Sequence, residues 1–538
     1  MQTRIHKLSA VLLGAAIVVG CDTSVSSNLD DDLDSGSADF TTFVTVGDSL
    51  TAGFADNAQY RDGQVNSYPS ILADAFAEVI AEESETEDED AEARVGGYVF
   101  EQPLMPEGAT GSLTITTMAG VVDIDGVEDR LVLDGEGTSD TLSPVTISQT
   151  QSTSIDVPLS GPINNVGVPG AKFYHVGTPG YGNPAGLGTS ANPFFVRFAS
   201  SAATSMLTDA TNQNPTFFVL WLGNNDVLAY ATGGGTGTDQ HALDETDVTT
   251  YGSDDITAAE FFATGGTGGA TGLPSYPTVV TALKGAGAKG ILINVPDVAS
   301  IPYFTTVPYN PLPLDLESVT KANAGFAAYN AFLQSIVEPS TSLCPFRITQ
   351  EEADRRMITF SVGNNPPVIL DENLTDLTLC SASALSMRLA TPDDLILLPT
   401  ASKLGEDASD VYGPDTIWGV SGPLLDEDVL IDTEIEAVDT ARMAINEIIE
   451  ETASADPDIV LYDAAERLRV LADEGILYGT GGITADFVTG GAFSLDGVHP
   501  TARGYALIAN EIRQLIEDSY GANLPPIDPG SFPTVYYQ

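Results

Sequence analysis

Few side chains of this 538-residue chain can act as a base near neutral pH, since it has only four histidines, His6, His175, His241 and His499. Only His499 has a suitable setting. It lies in Leu495-Asp496-Gly497-Val498-His499-Pro500, directly before Thr501-Ala502-Arg503-Gly504-Tyr505-Ala506-Leu507, which reads as a helix capped by Thr501. Asp496 can accept a hydrogen bond from one ring nitrogen and leave the other to take a proton. A base so held turns a serine into a nucleophile, and Gly47-Asp48-Ser49-Leu50-Thr51-Ala52-Gly53 offers one in a suitable setting. The run before it, Phe43-Val44-Thr45-Val46, is apolar and β-branched like a buried strand, and a helical pattern follows Tyr68-Pro69 from Ile71 to Phe76. Ser49 is therefore expected at the carboxyl end of a strand, the edge where an open α/β sheet binds ligands.

Acyl transfer also needs donors for the oxyanion. In Thr216-Phe217-Phe218-Val219-Leu220-Trp221-Leu222-Gly223-Asn224-Asn225-Asp226 an apolar strand ends in a turn that projects an amide from the same sheet edge as Ser49. In Ile163-Asn164-Asn165-Val166-Gly167-Val168-Pro169-Gly170 the closing glycine permits close approach of its backbone N–H. Each such donor is typically worth roughly 3 kcal/mol of transition-state stabilisation.

Taken in chain order, these four segments resemble the blocks of the SGNH, or GDSL, hydrolase family. The resemblance implies that Ser49 is the nucleophile, that Asp496 and His499 complete its triad, and that the Ser49 amide, Gly170 and Asn225 form the oxyanion hole. It implies a three-layer α/β/α, flavodoxin-like fold with a mostly parallel sheet, no cofactor, and cleavage of small or polymer-linked carboxylic esters through a covalent acyl-enzyme. Ile291 to Asp297 with Ile301-Pro302-Tyr303 is similar to the strand and loop after the third block, and Asn323 to Ile336 to the helix that follows. The family also deacetylates polysaccharides and cleaves phospholipids and thioesters. A carbohydrate O-acetyl esterase, or a surface-anchored binding protein on a hydrolase scaffold, are the alternative readings.

Nucleophile and base stand at opposite ends of the chain and must meet, so residues 41–538 are expected to form one hydrolase domain despite their length. Three stretches are excess. Residues 83–160 begin with the acidic run Glu82 to Asp90 and continue in alternating segments such as Leu113 to Thr117, which read as a β-rich insertion. Residues 230–275, with their glycine runs, read as a flexible excursion, and 341–430 show no helical period. Since loops at strand ends carry specificity, the three are expected to form a cap or cleft wall over the site.

Arg4 and Lys7 precede an apolar stretch from Leu8 to Gly20, so residues 1–20 read as a signal peptide. The small residues before Cys21 resemble a bacterial lipobox, which implies lipidation of Cys21 and anchoring in the cell envelope, at the outer membrane or surface in preference to the inner membrane. Residues 21–40, rich in Ser and Asp, are then a disordered acidic tether. With Cys21 acylated, Cys344 and Cys380 remain as an even pair in an oxidising compartment and are expected to form a disulfide, the alternative being two buried thiols.

Charge narrows the partners. Against 20 basic residues stand 76 acidic ones, a formal net charge of −56, which excludes nucleic acid and leaves the lipid anchor as the only expected membrane contact. Hydrophobic content of 43% is that of a packed globular protein, so the acid belongs to the surface and reads as adaptation to high salt. No metal site is expected: the acidic clusters at 30–34 and 82–90 lack EF-hand spacing, and no Cys/His group has zinc spacing. His175 reads as a surface or structural histidine and His241 as solvated. Asp48, Asn224 and Asp226 read as shaping their turns.

Overall fold

The structure, a computed structural model, describes residues 32–85, 98–133, 144–148, 150–243, 252–266, 272–338, 344–479 and 481–535. Its centre follows from five short apolar runs. β1 (Phe43–Gly47), β2 (Asn165–Gly167), β3 (Phe217–Trp221), β4 (Lys289–Ile293) and β5 (Ile459–Tyr462) form an all-parallel sheet in the order β5-β4-β3-β1-β2. Alternate residues of each strand enter different cores. Val44, Val46, Phe218, Leu220 and Leu292 point to one face, and Phe43, Phe217, Val219, Ile291 and Ile293 to the other. A strand buried on both faces has no polar side to show, which is why these segments read as continuous apolar runs.

Helices cover both faces, giving three layers. α1 (Ser49–Ala52) is a single turn at the end of β1. α2 (Tyr68–Glu85) packs on one face through Leu72, Phe76 and Val79. The other face receives α3 (Met206–Thr211), α4 (Asn225–Thr232), α5 (Tyr276–Lys284) and α6 (Asp432–Ser454). α7 (Ala464–Asp473) follows β5, and α8 (Ala502–Tyr520) lies beside α2 through Tyr505, Ile512 and Ile516. The sheet order reverses direction at β1, with β2 on one side and β3 on the other. Such a switch point opens a crevice at the carboxyl ends of those strands.

Four expectations about the periphery need correction. The tether does not run to residue 40: Asp34 and Asn523 exchange backbone hydrogen bonds, and Phe40 is buried, stacked on Phe76 at 4.0 Å. An aromatic ring placed there gains more by burial than a tether gains by freedom. The 230–275 stretch is not a simple excursion either. In its described part Ile256, Phe261 and Phe262 are buried, Phe262 stacks on Phe173 at 4.4 Å, and the Lys172 ammonium donates to the Asp255 carbonyl. Third, the helix expected from Asn323 to Ile336 runs from Leu316 to Ser335, and it packs through Val319, Ala322 and Phe326 on Ile358, Phe360 and Met387, outside the central sheet. The helix between β4 and β5 that covers the sheet is α6. Fourth, the described part of the excess at 341–430 belongs to a packed body of short two-stranded ladders that starts with that earlier helix.

Buried charge fixes this body. The Arg388 guanidinium, buried, donates to Asp371 at 2.6 Å and to both oxygens of Asp394 at 2.6 and 2.8 Å. Cys344 and Cys380 are joined as a disulfide, with Cα atoms 5.1 Å apart and a separation of 36 positions in sequence. Closing a loop of that size removes roughly 3–4 kcal/mol of unfolded-chain entropy. Replacing both cysteines with serine is expected to lower stability by about that amount, read as a fall in the denaturation midpoint of the 305–431 region by hydrogen exchange. The first insertion is β-rich as expected, with Leu113–Thr117 paired to Gly120–Asp123 and Thr153–Ser154.

Candidate active site

β1 ends at Gly47, and Asp48 caps the turn that follows. One Asp48 oxygen accepts the Leu50 N–H at 3.0 Å, and the other accepts the Asn224 amide at 2.8 Å. Burial pushes this carboxyl up to about 6, against the opposing pull of those hydrogen bonds. Ser49 is thus the first residue of α1, where a backbone N–H has no acceptor within the helix. The turn is tight against β2: a Cβ on Gly167 would lie 2.4 Å from the Ala52 nitrogen, so only glycine lets α1 cross there.

His499 arrives from the loop before α8. Its Nε2 lies 2.8 Å from Ser49 Oγ, and its Nδ1 lies 2.9 Å from Asp496 Oδ2. Thr501 caps α8 as its sequence suggested, accepting the Gly504 N–H at 3.0 Å. Asp496 is held by four further donors. The Asn57 N–H reaches Oδ2 at 2.9 Å, and Oδ1 accepts the Val498 and His499 N–H groups at 2.8 Å each and the Ser494 hydroxyl at 3.0 Å. Burial pushes this carboxyl up, but the His499 charge and these hydrogen bonds outweigh it and hold the group at about 2. A carboxylate so fixed determines which ring nitrogen carries the proton.

The segment that supplies Asn57 was not anticipated. Asp56 and Asn57 both adopt left-handed backbone, φ 53° and 64°, in the turn Ala55-Asp56-Asn57-Ala58. Asp56 accepts the Leu495 N–H at 3.0 Å and the Tyr60 hydroxyl at 2.7 Å, while its own N–H donates to Ser494 Oγ at 2.9 Å. The turn therefore grips residues 494–496 across 439 positions of sequence. Phe54, just before it, sets its ring 4.7 Å from the His499 ring. The available signal was the adjacent Asp-Asn pair, residue types that tolerate left-handed backbone, but what the turn touches is invisible along the chain.

The three expected oxyanion donors come from the ends of the adjacent strands β2, β1 and β3. Gly170 takes φ 76°, and neither its N–H nor that of Ser49 has an acceptor among the described residues. Asn225 gives one amide hydrogen to the Ala171 carbonyl at 3.1 Å, which orients the group and leaves its second hydrogen available. Its neighbours brace the turn. Asn224 ties it to Asp48, and Asp226 accepts the Phe173 N–H at 2.8 Å. His175 stands apart from this group: it is stacked on Tyr181 at 4.2 Å, accepts the Lys172 N–H, and burial pushes it down to about 3. His241 is not simply solvated, since its Nδ1 accepts the Ala259 N–H at 3.3 Å.

Ser49, His499 and Asn225 line a pocket of about 120 Å3, whose other walls come from the β4 loop at Pro296 to Ile301, from α7 and from α8. Among the described residues, none of 83–160, 230–275 or 341–430 lines it. The described parts of the insertions therefore do not form the expected cleft wall, and the first of them supports the 54–60 turn, its Leu131 N–H bonding the Asp56 carbonyl and Arg130 lying 4.7 Å over the Tyr60 ring.

Among the described residues one trio of carboxylates, Glu372, Asp426 and Glu434, brings its oxygens within 4.8 Å of one another. Burial pushes Glu434 up to about 8 and Asp426 up to about 6; Glu372 and Asp426 raise Glu434 further, and Glu372 and Glu427 raise Asp426. A raised carboxyl costs stability as pH climbs from its unfolded to its folded value. Glu434→Gln is therefore expected to match the parent protein in thermal midpoint near pH 4.5 and to exceed it by about 2–4 °C above pH 8, read by calorimetry across that range.

No helix among the described residues is long and apolar enough to cross a membrane. No protein-family model, curated protein or solved structure matches the chain.

Proposed function

We propose that the chain is a serine hydrolase of carboxylic esters of the SGNH, or GDSL, type, held in the cell envelope by a lipid on Cys21. The observation that carries this reading is the unbroken relay Ser49 Oγ, His499 Nε2, His499 Nδ1, Asp496 Oδ2, with contacts of 2.8 and 2.9 Å at a doubly wound switch point. In the reaction Ser49 Oγ attacks the ester carbonyl while His499 Nε2 takes its proton. The tetrahedral oxyanion is met by the Ser49 and Gly170 N–H groups and the Asn225 amide. Imidazolium, stabilised by Asp496, returns the proton to the leaving alkoxide as the C–O bond breaks, and the acyl group stays on Ser49. Water, deprotonated by His499, attacks the acyl-enzyme; as the acyl C–Oγ bond breaks, the imidazolium returns the proton to Ser49 Oγ and the carboxylic acid leaves.

A fluorophosphonate probe tests the reading directly, because it phosphonylates only an activated serine. Intact protein in high salt is expected to gain one adduct, mapped by mass spectrometry to Ser49, with parallel loss of p-nitrophenyl acetate hydrolysis. An unlabelled Ser49, or turnover that survives labelling, overturns it.

A further inference from the structure

We propose that the pocket beside Ser49 is an alkyl-chain chamber, which takes an unbranched apolar chain on one side of the ester bond and selects it by length. The inference rests on the reading of Ser49 as the nucleophile. Two helices build the chamber in register. Gly504, Leu507, Ile508 and Glu511 on α8 recur at i, i+3, i+4 and i+7, and so do Ala464, Arg467, Leu468 and Leu471 on α7. Each set is one stripe of its helix, so two ridges border the same space. Gly504 sits against Pro500, the residue after His499, and the seven residues from there to Glu511 run about 10 Å along the helix axis. An extended hydrocarbon with 1.5 Å bonds advances about 1.3 Å per carbon, so that depth holds about eight carbons.

Most of the wall is unsuited to a sugar, the buried polar side-chain atoms that line it without a partner being Trp221 Nε1 and Asn224 Oδ1, at the end of β3 and in the turn after it. Leu228, Val298, Leu468, Leu471, Ile476 and Leu507 offer no hydrogen bond to a hydroxyl, and a buried hydroxyl without a partner is costly. The only charges on the walls are spent on each other. Arg467 donates through Nε to Glu511 at 2.9 Å and through a second nitrogen to the same carboxylate, which also accepts the Tyr462 hydroxyl at 2.6 Å. That closed set forms a neutral boundary at the Glu511 end of the stripe.

The test has two arms. In the first, kcat/KM is measured on p-nitrophenyl esters from acetate to palmitate and on alkyl acetates of the same lengths, which separates a chain on the acyl side from one on the alcohol side. In one series the value is expected to rise about fourfold per methylene up to about eight carbons and to fall beyond about ten, as each methylene enters apolar surface. Leu471→Trp is expected to shift the optimum to shorter chains, lowering the octanoyl-to-acetyl ratio at least tenfold. Ile508→Trp, at a half-buried position, repeats the test if the first variant does not fold. In the second arm, calorimetric binding of sodium octanoate to Ser49→Ala is expected to be at least tenfold tighter than that of acetate, and to be lost in Leu471→Trp or Ile508→Trp. A flat profile in both ester series, or octanoate binding indifferent to both tryptophans, overturns the chamber. Absent turnover with octanoate bound as described overturns the catalytic reading and leaves the chamber standing.

Discussion

Replacing Ser49 with alanine is expected to lower kcat on a p-nitrophenyl ester by roughly 10⁴- to 10⁶-fold, the scale on which triad serines act, while the protein stays folded. The stability side follows from the local structure. Ser49 loses one hydroxyl contact with His499, worth about 1 kcal/mol, and alanine is the better helix former at the first turn of α1. The residual rate should come from the oxyanion donors alone, so adding His499→Ala to Ser49→Ala should cost little more. Groups that act as one unit do not add. The measurement is a steady-state and burst-phase comparison of the parent, Ser49→Ala, His499→Ala and the double variant at matched thermal midpoint. A single variant within a hundredfold of the parent rate overturns the role of Ser49, and a double variant much slower than either single one shows that the two residues do not act as a unit.

How far the chain could be read along its length depended on whether the information was local. β1 and β3 were legible because a strand buried on both faces leaves an apolar run, and the turns after them carry their own Gly, Asn and Asp signals. The loop of Asp496 and His499 was legible for the same reason, since carboxylate, imidazole and helix cap lie within six residues. Contacts between distant segments were not. Leu316–Ser335 has a sound helical pattern in Val319, Ala322 and Phe326, yet an apolar stripe says only that something covers it, and here the cover is Ile358 and Phe360, not the sheet. Phe261 and Phe262 were masked by the glycines around them, although two adjacent aromatics are expensive to leave in water. The turn at Asp56 and Asn57 and the trio of Glu372, Asp426 and Glu434 depend on chain segments that meet only in the fold.

That turn matters because it makes Asp496 hard to replace, and Asp496→Asn is expected to cost both rate and stability. All five partners of the carboxylate are donors: the His499 ring and the Asn57 N–H at one oxygen, and the Val498 N–H, His499 N–H and Ser494 hydroxyl at the other. An asparagine must point its NH2 at one of these groups. Turned toward Oδ2, it opposes the Asn57 N–H and forces His499 Nδ1 to accept, so that Nε2 carries the proton and cannot take another from Ser49. Turned toward Oδ1, it keeps the useful tautomer but sets its NH2 against two backbone donors. The first arrangement loses roughly 10⁴-fold in kcat, as the wrong tautomer does in serine hydrolases generally. The second loses stability instead, so the expected variant is slow and less stable together. The pH dependence separates this from a general loss of packing. Asp496 is held at about 2, below the usual 3.8, so its contribution of about 2 kcal/mol is complete above pH 4 and vanishes as pH falls toward 2. The gap in thermal midpoint between parent and Asp496→Asn should therefore be constant from pH 5 to 7 and narrow steadily below pH 4. A gap that does not narrow assigns the loss to packing alone, and a variant that keeps the parent rate removes Asp496 from the relay.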